Sequence, residues 1–229
     1  MIYLNNAATT YPKDPCAVQA LTEAAASSPA ERSAALVAGR HDIRNVCRRQ
    51  IAHLIGCDVP ERIILTAGAT EALNLAICGV LHHRGGHVIT TSTEHNSVLR
   101  PLFRLEKEGV IELSVVAAEN GRVTSDAIRN AFRDDTSLVV VNHMSNVTGQ
   151  AAPVSEIGRM CRRRKALFLV DAAQSAGQWP INVHDQHMDL LAFAGHKGLG
   201  GFAGTGGLYV GERAQLRPLM VGGTGVRSN

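Results

Sequence analysis

Short apolar runs rich in β-branched residues recur at Arg62 to Leu65, His87 to Thr91, Ile111 to Val116, Ser137 to Val141, Leu167 to Val170, Leu190 to Phe193 and Gly207 to Val210. Their length and composition predict strands. Between most of them, apolar residues recur at helical spacing, as over Glu71 to His82, Ser97 to Lys107, Ser125 to Phe132 and Val154 to Arg164. Strands apolar at nearly every position are buried on both faces. Their alternation with helices predicts an α/β domain, a mostly parallel seven-stranded sheet with helices on both sides.

The chain has 229 residues, enough for one large domain. An apolar share of 45% with 19% charged residues excludes a disordered chain, and 4% aromatics suits an aliphatic core. Net charge is +3 and the basic residues are scattered, except for Arg162, Arg163, Arg164 and Lys165 at the end of a predicted helix. Cations there answer the helix dipole, so no nucleic-acid partner is expected. The five cysteines are odd in number and lack a CxxC spacing. Neither a signal-peptide pattern nor an apolar stretch of membrane-spanning length occurs, so the expected setting is the cytoplasm, with no membrane partner. Glycines thicken after residue 195 and the sequence runs into a polar, glycine-rich stretch at 222–229, a loop against which something docks or after which something follows.

Three segments place reactive side chains at strand ends. Lys197 follows an apolar strand and His196, and is followed by glycines, where backbone can approach a ligand closely. Desolvation there makes a lysine a nucleophile toward carbonyls. Asp171 closes the strand Leu167 to Val170 at the carboxyl edge, where open α/β sheets bind ligands, with Gln174 three residues on. A carboxylate buried there needs a cationic partner, and a protonated pyridine nitrogen is one. Thr66-Ala-Gly-Ala-Thr70 leads into a helix whose free N–H groups, with the Thr70 hydroxyl beside them, make a phosphate site. Each has a plainer role when taken alone: an exposed loop lysine, an aspartate capping a turn, a threonine capping a helix.

Two further residues follow strand ends, His95 and Asn146. An imidazole can lie on an aromatic ring and move protons near neutrality, and a carboxamide can donate to a phenolate oxygen. His82, His83 and His87 do not point to a metal: the first two are adjacent on a helix and diverge, with no further ligand at suitable spacing.

In their order and spacing these segments resemble the class V aminotransferase family, in its cysteine desulfurase and selenocysteine lyase branch. The matching motifs are Asn5-Asn-Ala-Ala-Thr-Thr10, Ala67-Gly-Ala-Thr-Glu71, Glu94-His95, Asn146 with Thr148-Gly149, Asp171-Ala-Ala-Gln174 and Gly195-His-Lys197, and together they cover essentially the whole chain. The resemblance implies the large domain of the fold type I enzymes dependent on pyridoxal 5'-phosphate. It implies Lys197 as the Schiff-base lysine, His95 stacked on the pyridine ring, Asp171 on the ring nitrogen, and Asn146 and Gln174 on the phenolic oxygen. It gives Ala69, Thr70 and His196 to the phosphate, and Asn6, Ala7 and Ala8 to the carboxylate end of the substrate.

The implied organisation is a substrate-side segment at 1–14, a cofactor-binding domain at 15–217 and an interface loop at 218–229. The family's small C-terminal domain, with its carboxylate-binding arginine and mobile nucleophilic cysteine, is not in this sequence. The implied activity is removal of sulfur from L-cysteine (or selenium from selenocysteine) to leave alanine and a persulfide, in a homodimer that passes sulfur to an acceptor protein. The alternatives are an aminotransferase or C–S/C–Se lyase without persulfide chemistry, and a non-catalytic module that pairs with another subunit. Two departures stand out: Ala194 occupies the place of a phosphate-binding hydroxyl residue, and Gly200-Gly-Phe-Ala-Gly-Thr-Gly206 replaces a Gly-Pro-Gln-Gly-like loop.

Overall fold

The computed structural model of the protein describes residues 2–28 and 42–222; Met1 and 223–229, which belong to the two expected terminal segments, lie outside the described residues. All seven expected strands form: β1 (Ile63–Thr66), β2 (Gly86–Thr91), β3 (Ile111–Val116), β4 (Thr136–Asn142), β5 (Leu167–Asp171), β6 (Leu190–Ala194) and β7 (Gly206–Val210). They build one sheet in the order β1-β7-β6-β5-β4-β2-β3. The pairings of β2 with β3, β2 with β4, β4 with β5 and β5 with β6 are parallel, and β7 is antiparallel to both its neighbours, β6 and β1. The reversal follows from the connection between Ala194 and Gly206, which holds no helix. A parallel return needs a crossover, so a short link turns the chain back beside the strand it has left.

The helices among the described residues are α1 (Pro15–Ala26), α2 (Ile43–Leu54), α3 (Ala69–Arg84), α4 (Asn96–Lys107), α5 (Ser125–Ala131) and α6 (Val154–Arg164). The last four are those that apolar spacing predicts. Of the first two, α1 buries none of its residues and α2 buries only Ala52. A local start signal does mark α1: the Asp14 side chain accepts from the Cys16 N–H at 2.7 Å, with proline at the first helical position.

Successive strand residues point to opposite faces, so each strand feeds two cores. Leu138, Val140, Leu167 and Leu169 pack with Leu73, Ile77 and Leu81 of α3 and Leu102 of α4. Val139, Val141, Phe168 and Val170 pack on the other face with Ile128 of α5 and with Ile157 and Cys161 of α6. Each fully buried aliphatic side chain contributes about 1.5–3 kcal/mol, and the three from α3 fix that helix with its amino end at the carboxyl edge of the sheet. The basic run lies in the last turn of α6, which ends at Lys165 in a left-handed conformation (φ 61°). His87 is buried between Thr136 Oγ1 and Ser114 Oγ, each 2.8 Å from a ring nitrogen.

Candidate functional site

A cavity of about 550 Å³ opens where the carboxyl ends of the central strands meet the amino end of α3. Ala69, Thr70, His95, Asn146, Asp171, Gln174, His196 and Lys197 all line it. Residues scattered over nearly 130 positions meet here because each follows a strand end at one edge of the sheet.

Asp171 is the last residue of β5, buried, and its Oδ1 accepts the Ala173 N–H at 2.9 Å. Burial pushes its carboxyl above the ordinary carboxylate range, against the pull of that N–H and of Lys197 and His95. Lys197 lies in the turn after β6. Desolvation holds its amine below the ordinary lysine value, opposed by the Asp171 charge. Amine and carboxylate therefore answer each other electrostatically across the cavity.

The Lys197 turn is seated by close backbone approach. A Cβ at Gly198 would lie 2.4 Å from the Ala176 carbonyl oxygen, so no other residue fits there without movement. The turn is also strapped from outside by the amino-terminal segment. The Thr10 hydroxyl donates to the Lys197 carbonyl at 2.5 Å, and the His196 carbonyl accepts from Thr9 Oγ1, Lys13 Nζ and the Thr10 N–H, each at 3.0 Å. His196 itself sets Nδ1 3.1 Å from Thr9 Oγ1; burial and the nearby Lys197 and Lys13 keep its ring below the usual histidine value.

At the amino end of α3 the N-cap is Gly68, with φ 157° and no side-chain capping bond. The first-turn N–H groups thus keep their capacity for an anion, with the helix dipole behind them. The Thr70 hydroxyl pairs with Ser97 Oγ at 2.9 Å, and Ser97 also binds His95: its hydroxyl lies 2.8 Å from Nδ1 and its N–H donates to the same nitrogen at 3.1 Å. With Nδ1 accepting, the neutral ring carries its proton on Nε2. Asn146 is exposed in a turn closed by Gly149 N–H to the Ser145 carbonyl, with Ser145 Oγ accepting from the N–H of Val147 and of Thr148.

Asn6, Ala7 and Ala8 are exposed and are not in the cavity wall. They sit in a turn closed by Ala8 N–H to the Asn5 carbonyl, and they reach the site through the main chain: Gln174 Nε2 donates to the Ala7 carbonyl at 2.9 Å. Ala194 lines the cavity and brings no hydroxyl. Sequence reasoning missed Ser97, which a serine two residues after His95 could have signalled, and the strap residues Thr9, Thr10 and Lys13, which act on carbonyls that no side-chain pattern reveals. Among the described residues no cysteine lines this cavity; Cys47, Cys57, Cys78 and Cys161 are partly or fully buried, with thiols raised by burial.

The family model described as Aminotransferase class-V matches residues 2–229. Curated relatives include the cysteine desulfurase IscS of Shewanella sediminis (strain HAW-EB3), 40% identical over 225 residues, and that of Vibrio campbellii (strain ATCC BAA-1116), 40% identical over 224. Each alignment takes in 94% of this chain and 55% of the relative, so the chain spans about half the length of the curated relatives it matches. Similar solved structures include "SspA in complex with cysteine", at TM-score 0.86 and 30% identity over 97% of this chain and 65% of that one. Another is the apo cysteine desulfurase from Thermococcus onnurineus NA1, at TM-score 0.86 and 32% identity over 97% and 57%.

Proposed function

The chain belongs to the class-V aminotransferase family, and on that premise we propose that it is the cofactor-binding part of a pyridoxal-phosphate-dependent cysteine desulfurase. One observation carries the reading: a partly desolvated amine, a buried carboxylate, an imidazole and an uncapped helix start converge on one cavity. That donor set fits pyridoxal 5'-phosphate group by group. The first turn of α3 with His196 would hold the phosphate, Asp171 would keep the ring nitrogen protonated, and His95 would lie against the ring. Asn146 and Gln174 would serve the phenolic oxygen; Gln174 has a second N–H beyond the one given to Ala7.

When bound, the cofactor supplies an electron sink for charge developed on the amino acid. The protein's part is positional and protonic. The lowered value of Lys197 raises the share of free amine at neutral pH, the form that attacks a carbonyl and takes up a proton. The strap over His196 and Lys197 holds that amine in place, and Asn6 to Ala8 would form the substrate side through the main-chain link to Gln174.

The relatives' names support L-cysteine as substrate; the sulfur would pass to an acceptor protein. Residues 15–217 would be the cofactor-binding domain and 218–229 an interface loop. The apolar side chains left exposed at Ile2, Leu4, Val18 and Leu21 support a homodimer. No helix among the described residues is long and apolar enough to cross a membrane, which accords with a cytoplasmic setting. The second reading is an aminotransferase or lyase without persulfide chemistry, which would use the same cofactor-binding residues of this cavity.

The test is absorbance titration of the pure chain with pyridoxal phosphate, with Lys197→Ala as control, followed by assay of the loaded protein for alanine from L-cysteine, with sulfide released from any persulfide by an added thiol reductant. A Lys197-dependent band is expected. Its absence defeats the cofactor assignment, and a 2-oxo acid product in place of alanine favours the second reading.

A further inference from the structure

Glu94 is a buried carboxyl for which the proposed chemistry has no use. Its Oε1 accepts from Thr91 Oγ1 at 2.6 Å and from the Asn142 N–H at 2.9 Å, while Oε2 is buried without a hydrogen-bond partner. Thr91 ends β2 and Asn142 ends β4. The ladder between these strands stops at Ile89 and Val139, so the carboxyl bridges the point where they part. Behind this bridge stand two site residues: His95 is next in the chain, and Asp171 pairs with Asn142 in the adjoining ladder.

Resting on the function proposed above, we propose that Glu94 is a positioning residue. Held as a neutral acid, it bolts the diverging ends of β2 and β4 together, fixes the spacing of His95 and Asp171, and adds no second negative charge beside Asp171. A carboxylate with one oxygen cut off from water and from donors is costly, whereas a neutral acid leaves only a hydroxyl unserved. Consistent with this, burial pushes Glu94 up to about 8, with the Asp171 charge acting in the same direction. The titratable groups around it are Asp171 on β5, which His95 and Lys197 face in turn, and His143, which follows Asn142 and whose ring burial holds below the usual histidine value.

The sign of the pH effect follows. Glu94 holds its proton more tightly in the fold than in the unfolded chain, so stability falls as pH rises from about 4.5 toward about 8. Melting of the cofactor-free full chain as wild type, E94Q and E94A tests both halves of the proposal. E94Q keeps the accepting oxygen and should overtake the wild type by at least about 2 °C between pH 5 and pH 8.5, while E94A should melt below E94Q at pH 5. Parallel wild-type and E94Q profiles would overturn the neutral acid, and equal melting of E94A and E94Q would overturn the bolt.

With pyridoxal phosphate, E94Q should leave the pH midpoint of the Lys197-dependent band unmoved, and E94A should weaken binding at least about tenfold. A midpoint displaced by about one unit in E94Q would mean that a charge had been removed, against the proposal. If the wild type shows no such band, the proposed function fails, and the melts still decide the role of Glu94.

Discussion

Replacing Asp171 by asparagine should move stability and cofactor affinity in opposite directions. The two side chains are isosteric, and asparagine keeps an oxygen for the Ala173 N–H at 2.9 Å, so the turn after β5 is preserved. What is lost is a charge buried at the cavity floor. Burial raises the Asp171 carboxyl, so in the cofactor-free protein the ionised form is disfavoured by folding. That penalty grows as pH rises through the folded value, and D171N should therefore melt higher than the wild type at neutral pH, with a shallower pH profile. Toward the cofactor the charge is an asset. A hydrogen bond to an ionised partner contributes about 1.5–3 kcal/mol, so D171N should bind pyridoxal phosphate roughly 10- to 150-fold more weakly. Parallel absorbance titrations and thermal melts on the same preparations give both quantities. Unchanged affinity would refute the assignment of Asp171 to the ring nitrogen, and a variant that melts lower than the wild type would refute the burial penalty on its charge.

Three further changes probe the rest of the site. Ala194→Ser returns a hydroxyl to the cavity wall and should tighten pyridoxal phosphate by about 1–3 kcal/mol, at least roughly fivefold, with no gain for pyridoxal lacking the phosphate; equal gains for both ligands would remove Ala194 from the phosphate end. Gly198→Ala drives a Cβ to within 2.4 Å of the Ala176 carbonyl, and should cost about 1–3 kcal/mol in denaturant unfolding and abolish the Lys197-dependent band as the turn shifts. Thr10→Val removes the hydroxyl that donates to the Lys197 carbonyl at 2.5 Å, costing about 1 kcal/mol, and should speed amide exchange in peptides spanning 196–201 about fivefold.

What was legible in the sequence was whatever rests on local pattern. The seven strands announced themselves as β-branched runs because a sheet covered on both faces needs apolar residues at nearly every position. Helices α3 to α6 showed in the spacing because they press stripes onto that sheet. The reversal of β7 was not legible, since strand direction depends on whether a helix fits into the connection. Helix α1 escaped because it buries none of its residues. In the site, Lys197 and Asp171 could be read because a charged residue at or just beyond the end of an apolar strand is conspicuous. The strap was hidden, since the Thr10 hydroxyl meets the Lys197 carbonyl across 187 positions, and a main-chain acceptor leaves no mark in the residue pattern. The pairing of the Thr70 hydroxyl with Ser97 was hidden too, being set by the packing of α3 beside α4, and it leaves that hydroxyl capacity for a phosphate at the cavity wall. Glu94 was visible only as the neighbour of His95, because what marks it out is the parting of β2 from β4.

The chain has four lysines, Lys13, Lys107, Lys165 and Lys197, so the attachment point can be read directly. Borohydride reduction of the protein mixed with pyridoxal phosphate, followed by peptide mass mapping, should place the pyridoxyl group on Lys197 at near-stoichiometric occupancy. Labelling spread over the exposed lysines, or concentrated on any but residue 197, would contradict the assignment of the cavity.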